Sequence, residues 1–253
     1  MMHDLQKADF WKRISAYIFD AILVFTVAVG FTFLFSMILN TDSHSAIITE
    51  RSTYYSELHD TDITMSEDKY NELTDEEKAK FDLATKEFNS DPDAGRAAYM
   101  VFNLTLISIT FSTLIAYAIL EFAVPLFFKN GQTLGKKMFG IAVMRSDGVR
   151  ISAPILFIRT ILGKCTIETL VPVLALVGVL FNLLGYMGLF VIIAVFITNL
   201  IMFFSTKTSS PIHDMFASTV VVDMSSQLIF DTEQDLLEYK QKLHAEAAER
   251  AEY

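Results

Sequence analysis

The sequence predicts an all-α integral membrane protein with about four transmembrane helices and a small cytoplasmic β element. Three observations support this fold class. Hydrophobic residues make up 52% of the 253 residues and charged residues only 20%, whereas an average soluble domain carries about 25% charge. The apolar residues are gathered into long runs, and each of the first two exceeds the ~20 residues needed to cross a bilayer. Polar segments of opposite net charge separate the runs.

The composition and the absence of certain motifs exclude several classes of protein. The single cysteine, Cys165, excludes a disulfide framework and a cysteine-based zinc site. The net charge of −10 argues against a nucleic-acid partner, because phosphate binding needs a surplus of lysine and arginine. Residues 131–136 are one residue short of a phosphate-binding loop, and no metal-ligand spacing or nucleophile motif is present. We therefore expect no enzyme activity, no catalytic residue, no metal and no cofactor.

The first two spans are long apolar runs that each contain one acidic residue. Residues 14–39 include Asp20, and residues 97–128 include Glu121 and Pro125. No small-residue cleavage site follows the first run, so we expect an uncleaved helix and not a signal peptide. The sequence therefore predicts two transmembrane helices here.

The third apolar region, residues 167–204, is too long for one span and short for two. Asn182 and the glycine-containing stretch 185–188 favour a turn near its middle. We expect a third span at 165–182, an amphipathic helix at 152–164 that leads into it, and a fourth span at 186–204. A single span, which would give three in total, remains the alternative.

The distribution of charge predicts the orientation. Residues 129–164 carry seven basic residues and one acidic residue, whereas residues 40–96 carry fifteen acidic and six basic residues. Because short basic loops stay in the cytoplasm, both termini are expected there. The predicted organisation is residues 1–39 as N-terminus and first span, 40–96 as an acidic extracytoplasmic loop, 97–223 as the membrane core, and 224–253 as an acidic cytoplasmic tail.

Local patterns predict structure in the polar segments. Thr74 and Glu77 form a capping-box pattern that starts a helix, although a solvated loop is the alternative for this segment. Residues 140–152 favour a short hairpin, to which residues 219–222 could add a strand. Spaced apolar residues after position 236 indicate an amphipathic tail helix.

Ionisable residues within the spans are the candidate site. Asp20 and Glu121 are candidate ion- or proton-binding carboxylates, and Arg13 and Arg159 are candidate counter-charges. Arg13 lies seven residues before Asp20, so both side chains share one helix face. Buried charges of this kind cost ~2.5–3.5 kcal/mol each on insertion scales and usually pair or face water. A cation or proton pathway and a structural salt-bridge cluster both remain open.

Four segments together resemble the RDD family of bacterial membrane proteins. They are residues 12–20, 131–143, 159–160 and 213–221. The family is named for one arginine and two aspartates, which match Arg13, Asp20 and Asp214. The other matching residues are Gln132, Thr133, Gly135, Lys136 and His213. The resemblance covers residues 8–39 and 97–223, and it implies a multi-pass protein of the bacterial cell membrane with a role in transport.

The motif residues also have a purely physical interpretation. The glycines near Gln132 and Thr133 favour a turn, and Lys136 could anchor that turn to anionic membrane lipid, which contributes ~1 kcal/mol per basic residue. His213 and Asp214 could tether the chain where it returns to the membrane surface.

The sequence thus favours a small ion- or proton-coupled transporter that binds a monovalent cation or a proton. We expect a homo-oligomer, by analogy with other small transporters. The alternative is a non-transporting membrane scaffold, sensor or accessory subunit that binds partners through its acidic loop and tail.

Overall fold

The computed structural model describes residues 6–206 and 208–251 of the chain. Within these residues the protein is mainly helical and has one small antiparallel sheet. In chain order the elements are α1 (Phe10–Ile38), α2 (Thr41–Leu58), α3 (Glu67–Glu72), α4 (Asp75–Asn89), α5 (Pro92–Phe128), α6 (Leu134–Met138), β1 (Ile141–Arg145), α7 (Ala153–Leu180), α8 (Gly185–Ser205), α9 (Ile212–Phe216), β2 (Thr219–Asp223) and α10 (Glu233–Ala251).

Within the described residues, four helices are long and apolar enough to cross a membrane, namely α1, α5, α7 and α8. The prediction of about four transmembrane helices with a small β element is therefore confirmed. The amphipathic helix expected at residues 152–164 is present and is continuous with the third span, since α7 runs from Ala153 to Leu180. Asn182 and Gly185 have positive φ angles of 54° and 46°, which reverse the chain between α7 and α8.

Both α5 and α7 widen in mid-helix, and a proline explains the widening of α5. Residues Ala118–Ala123 of α5 and Ile158–Leu170 of α7 have π-helical hydrogen bonding. Pro125 has no N–H to donate, and its ring crowds the carbonyl of Glu121 four residues earlier. That carbonyl instead accepts a 3.1 Å hydrogen bond from the Thr160 hydroxyl. The two widened segments are thereby joined, and such segments frequently accompany functional sites.

The β element joins two distant parts of the chain. Strands β1 and β2 pair antiparallel, with Val143 opposite Val221, and residues 219–222 are a strand as expected. The hairpin strand expected at residues 149–152 does not form, since this segment makes only isolated bridges. Ser152 is already the N-cap residue of α7, so the chain turns into that helix before a ladder can extend.

The chain divides into two compact units. One is Gly30–Thr110, and the other consists of the described residues before and after it. The first unit contains α2, α3 and α4, and the capping box predicted at Thr74 and Glu77 is present at the start of α4. This confirms the expected helix in the acidic segment.

An ion pair connects two helices of the Gly30–Thr110 unit. Arg51 of α2 binds the Asp91 carboxylate through Nε at 2.7 Å, and the Tyr55 hydroxyl donates to the same carboxylate at 3.0 Å. The other Asp91 oxygen accepts hydrogen bonds from the backbone N–H groups of Asp93 and Ala94. The hydrogen bond from Arg51 and these N–H groups hold the pKa of Asp91 well below its usual range.

The amphipathic helix expected in the tail is present as α10. Arg145 at the end of β1 forms a 2.8 Å ion pair with Glu233 at the start of α10. Arg150 forms a second 2.8 Å pair with Asp231 just before it. Both pairs are partly exposed, so each contributes little stability, but together they connect the tail with the basic segment.

Candidate functional site

The Asp20 carboxylate of α1 is held by residues Thr133–Lys136, the part of the RDD-like motif that follows α5. One carboxylate oxygen accepts a hydrogen bond from the Thr133 hydroxyl, and the other accepts a 2.7 Å bond from the backbone N–H of Gly135. The ammonium nitrogen of Lys136 lies 3.6 Å from the carboxylate. Asp20 is 4% exposed and Lys136 is 8% exposed. The motif therefore encloses Asp20 in a protein environment of one cation and two neutral donors.

The close approach requires glycine at position 135. A Cβ atom at this position would lie 2.5 Å from the backbone oxygen of Ala16 and 2.9 Å from the Asp20 carboxylate. The Thr133 hydroxyl also accepts a hydrogen bond from the Lys136 backbone N–H and thereby caps α6. Gln132 is buried and donates a 2.8 Å hydrogen bond to the Ile141 carbonyl. Each motif residue thus has a defined contact.

A second buried ion pair connects the two π-helical segments. The Glu121 carboxylate of α5 binds the Lys164 ammonium group of α7, and both side chains are almost fully buried. The second Glu121 carboxylate oxygen has no hydrogen-bond partner among the described residues. The pair therefore neutralises both charges but leaves one buried acceptor without a donor.

A third ion pair joins α7 to α9. The Arg159 guanidinium donates a 2.8 Å hydrogen bond to Asp214, which also accepts a 2.7 Å bond from the Thr219 hydroxyl. Burial favours a raised pKa for Asp214, but attraction to Arg159 and His213 outweighs it and holds the pKa well below its usual range. Asp214 is therefore a charged partner of Arg159 at neutral pH.

His213 is fixed by an acid on the same helix as Arg159. Its ring Nδ1 lies 2.8 Å from the Glu168 carboxylate, and its backbone N–H donates to the same side chain at 2.9 Å. A Cβ atom on Gly163 would lie 2.7 Å from that of His213, so the glycine permits α9 to pack directly on α7.

Arg13 differs from the other buried cations. Its guanidinium donates hydrogen bonds to the backbone carbonyls of Ser209 at 2.6 Å and Thr208 at 3.4 Å. It also lies 4.9 Å from the centroid of the Phe203 ring. Among the described residues, no carboxylate lies within ion-pair distance of Arg13. At contact distance its charge is therefore compensated by carbonyl dipoles and an aromatic face, and the Asp214 carboxylate attracts it from beyond ion-pair distance.

These residues form one buried charge cluster beside a cavity. The cluster comprises Arg13, Asp20, Glu121, Lys136, Arg159, Lys164, Glu168, His213 and Asp214. The cavity has a volume of about 460 Å³ and lies between α1, α7, α8 and α9. Ligand pockets commonly have volumes of about 300–1,000 Å³. The arrangement can therefore hold a small ligand against charged groups on one side and apolar side chains on the other.

Comparison with known families identifies the chain. A model of the RDD family matches residues 7–218. The chain belongs to the RDD family. Proteins of this family are membrane proteins, so α1, α5, α7 and α8 are apolar helices of an RDD membrane protein. Searches of curated proteins and of solved structures give no match.

The arginine and the two aspartates that matched the RDD family in sequence are all buried in the cluster. Asp20 and Asp214 each contact a cation, whereas Arg13 contacts carbonyl oxygens. Among residues 6–206 and 208–251, no three histidine, cysteine or carboxylate side chains form a group able to hold a metal ion.

The ion pairs differ from those expected from the sequence. Arg13 and Arg159 were the expected counter-charges of Asp20 and Glu121, but Arg159 pairs with Asp214 and Arg13 pairs with no acid in the described structure. The lysines Lys136 and Lys164 occupy those positions instead. The reason is that seven-residue spacing fixes the face of one helix but not which neighbour covers that face.

Sequence reasoning missed Lys164 and Glu168 as members of the cluster. Both lie in α7, but Lys164 was assigned to the amphipathic helix before the third span and Glu168 was not singled out. A signal was present, because Arg159, Lys164 and Glu168 are charges within one largely apolar stretch. Lys136 was expected near lipid headgroups, but the turn at Thr133 directs it inward to Asp20.

Proposed function

We propose that this RDD-family protein is a small ion- or proton-coupled transporter in which Asp20 and Lys136 form the exchanging pair. The observation that carries the proposal is the burial of the Lys136 ammonium group 3.6 Å from Asp20, beside a cavity. A buried carboxylate is suited to exchange a proton for a metal cation when its neighbouring ammonium group can release a proton.

The proton chemistry of Lys136 supports this proposal. Burial lowers the pKa of Lys136 to about 8, because the loss of hydration outweighs the attraction of Glu121. Lys136 can therefore release its proton near physiological pH. When it does so, the Asp20 carboxylate loses its compensating charge and gains affinity for another cation.

The oxygen atoms around Asp20 define the competing ligand. The Asp20 carboxylate and the Thr133 hydroxyl are oxygen ligands suited to a small hard cation. A monovalent cation restores the charge balance that the lysine proton supplied, so the two are alternatives at one position. The transported species in this proposal are thus a proton and a monovalent cation, and the protein is a carrier and not an enzyme.

The proposal includes a location and an orientation. The basic segment 129–164 and both termini lie in the cytoplasm of a bacterial cell, and the acidic segment 40–96 lies outside, in accordance with the positive-inside rule. We further propose that the protein works as a homo-oligomer, since four spans provide few helices to enclose a pathway.

The test is flux through reconstituted full-length protein. Proteoliposomes are given gradients of Na⁺, K⁺, Li⁺ or H⁺, and ion movement is measured for wild type and for Asp20→Asn. We expect flux for at least one cation in wild type and none in the variant, because asparagine cannot carry the charge. Asp42→Asn, which alters an exposed acid of α2, is the matched control and retains flux.

The opposite result favours the alternative function. Wild-type protein that reconstitutes well and moves none of these ions contradicts transport. The cluster would then be a structural feature of a non-transporting scaffold, sensor or accessory subunit. Retention of full flux in Asp20→Asn would separately contradict the role of Asp20.

A further inference from the structure

The cavity beside the buried charge cluster opens toward the exposed side of α1 and α8. Tyr17 of α1 and Phe196 and Phe204 of α8 line the cavity, yet 57%, 62% and 71% of their surfaces are exposed. Both helices are candidate membrane spans. Side chains that line a cavity and are also exposed on a spanning helix mark an opening between α1 and α8 that faces the hydrocarbon of the bilayer.

The opposite wall of the cavity is cationic. Four cations line it, namely Arg13, Lys136, Arg159 and Lys164. The two carboxylates that also line it are already engaged, since Asp214 binds Arg159 and Glu168 binds His213. Asp20 and Glu121, which neutralise the lysines, do not line the cavity. The cationic side chains therefore face the cavity, and Arg13 among them has no carboxylate partner in the described structure.

The position of Arg13 near the start of α1 is the position expected of a side chain at the depth of lipid headgroups. It is the fourth residue of α1, so it is about one turn from the end of the span. Its neighbour Trp11 is 70% exposed, and exposed tryptophan is typical of the boundary between headgroups and hydrocarbon. A guanidinium at that depth can donate paired hydrogen bonds to a phosphate group.

We propose that the cavity binds an anionic phospholipid, with the phosphate group at Arg13 and part of an acyl chain against α8. The apolar wall supplied by Val195, Phe196 and Leu200 receives the chain. The volume of about 460 Å³ is far larger than an ion requires but suits a headgroup with part of one chain. Binding at equilibrium requires no ion movement, so this inference does not depend on transport.

The experiment measures lipid retained by purified full-length protein. Delipidated protein in detergent is titrated with phosphatidylglycerol or with phosphatidylcholine of the same acyl chains, and bound lipid is counted by native mass spectrometry. We expect preferential binding of phosphatidylglycerol and roughly tenfold weaker binding in Arg13→Gln, because charge-assisted hydrogen bonds are lost. Lys137→Gln, which changes an exposed cation two residues from Gly135, should bind as wild type does.

A second pair of variants keeps the proposal testable if Arg13→Gln fails to fold. Val195→Trp fills the cavity, whereas Ile197→Trp places the same side chain on the same helix outside it. We expect loss of phosphatidylglycerol only in Val195→Trp. Equal retention of both lipids, or unchanged binding in Val195→Trp, overturns the proposal. Inorganic phosphate and oleate are tested as competitors at the concentrations at which phosphatidylglycerol binds. Displacement of the lipid by either one also overturns the proposal, since the site would then recognise an anion alone or an acyl chain alone.

Discussion

The backbone N–H of Gly135 donates a 2.7 Å hydrogen bond to the Asp20 carboxylate, which lies 115 residues earlier in the chain. This contact joins the first span to the short helix α6 that follows the second span. It explains why a glycine, a hydroxyl residue and a lysine occur together in this motif. The glycine allows close approach, the Thr133 hydroxyl donates to Asp20, and Lys136 balances its charge.

The first prediction is that Gly135→Ala destabilises the protein. The new methyl group would lie 2.5 Å from the Ala16 carbonyl oxygen, so α6 must move away from α1. Overpacking of this kind costs about 1–3 kcal/mol. Thermal unfolding of the purified protein in detergent measures the loss. Gly30→Ala in the same helix as Ala16 is the control, because a Cβ there meets nothing within 4 Å. Equal midpoints for the two variants would mean that α6 does not pack closely on α1.

The second prediction concerns the buried pair of Glu121 and Lys164. Lys164→Met should destabilise by about 3–5 kcal/mol, because it leaves a fully buried carboxylate without a counter-charge. The double variant Lys164→Met with Glu121→Leu should recover most of that loss. The measurement is a double-mutant cycle by unfolding in detergent. The control cycle uses Lys12 and Asp223, a pair in which Lys12 is partly exposed, where the coupling should be below about 1 kcal/mol. If the losses of unfolding free energy in Lys164→Met and Glu121→Leu simply add in the double variant, the two side chains do not interact, and the pairing is contradicted.

Much of the membrane architecture is predictable from sequence because it depends on local patterns. The apolar runs predict four spans, and the capping pattern at Thr74 predicts α4. The burial of Asp20 is also foreseen, since it lies within an apolar run. These features follow from residues that are close together in the chain, so no knowledge of the folded neighbours is needed.

The ion-pair partners were not predictable from sequence, because they depend on which helices pack together. Lys136 and Lys137 are adjacent and look equivalent in the sequence, yet Lys136 is buried against Asp20 and Lys137 is exposed. The difference arises from the turn that Thr133 begins. The pairing of Lys164 with Glu121 was also missed, since it depends on the π-helical segment of α7 that places the two side chains opposite each other.

The third prediction is a pH effect within the Gly30–Thr110 unit. The hydrogen bonds from Arg51 and from backbone N–H groups lower the pKa of Asp91. A carboxyl group whose pKa is depressed by folding stabilises the folded state above its unfolded value near 3.9 and loses this contribution as pH falls. Hydrogen exchange at the Asp93 and Ala94 amides, corrected for the intrinsic rate, should therefore accelerate below about pH 4.

The matched variants for this prediction are Asp91→Ala and Asp42→Ala. Asp91→Ala removes both the acceptor of the two N–H groups and the titrating carboxyl group, so it should expose these amides at neutral pH and abolish the acid-dependent change. Asp42→Ala alters an exposed acid of α2 and should leave them protected. Protection of these amides that is unchanged by Asp91→Ala would mean that other contacts hold the start of α5.

The fourth prediction concerns orientation in the membrane. With the only cysteine removed by Cys165→Ser, Ser66→Cys should react with an impermeant maleimide in intact cells, and Ser226→Cys should react only after lysis. The reason is that the acidic segment is expected outside and the tail inside. Labelling of both positions in intact cells would show that an odd number of helices crosses the membrane. Labelling of Ser226→Cys alone would reverse the proposed orientation.

The last prediction tests Lys136 as the group that releases the proton. Because burial lowers the pKa of Lys136 to about 8, cation flux should increase as the pH is raised through that value. Lys136→Arg keeps the positive charge because arginine does not release its proton in this pH range. Cation flux should therefore be lost across a pH range centred on 8. Lys136→Gln carries no charge at any pH, so it should bind the cation at Asp20 but lose the pH dependence. Flux in proteoliposomes measures both effects, and Lys137→Arg is the control, since that side chain is exposed. A normal pH profile in Lys136→Arg would mean that another group carries the proton, and Asp20 would then need a different exchange partner.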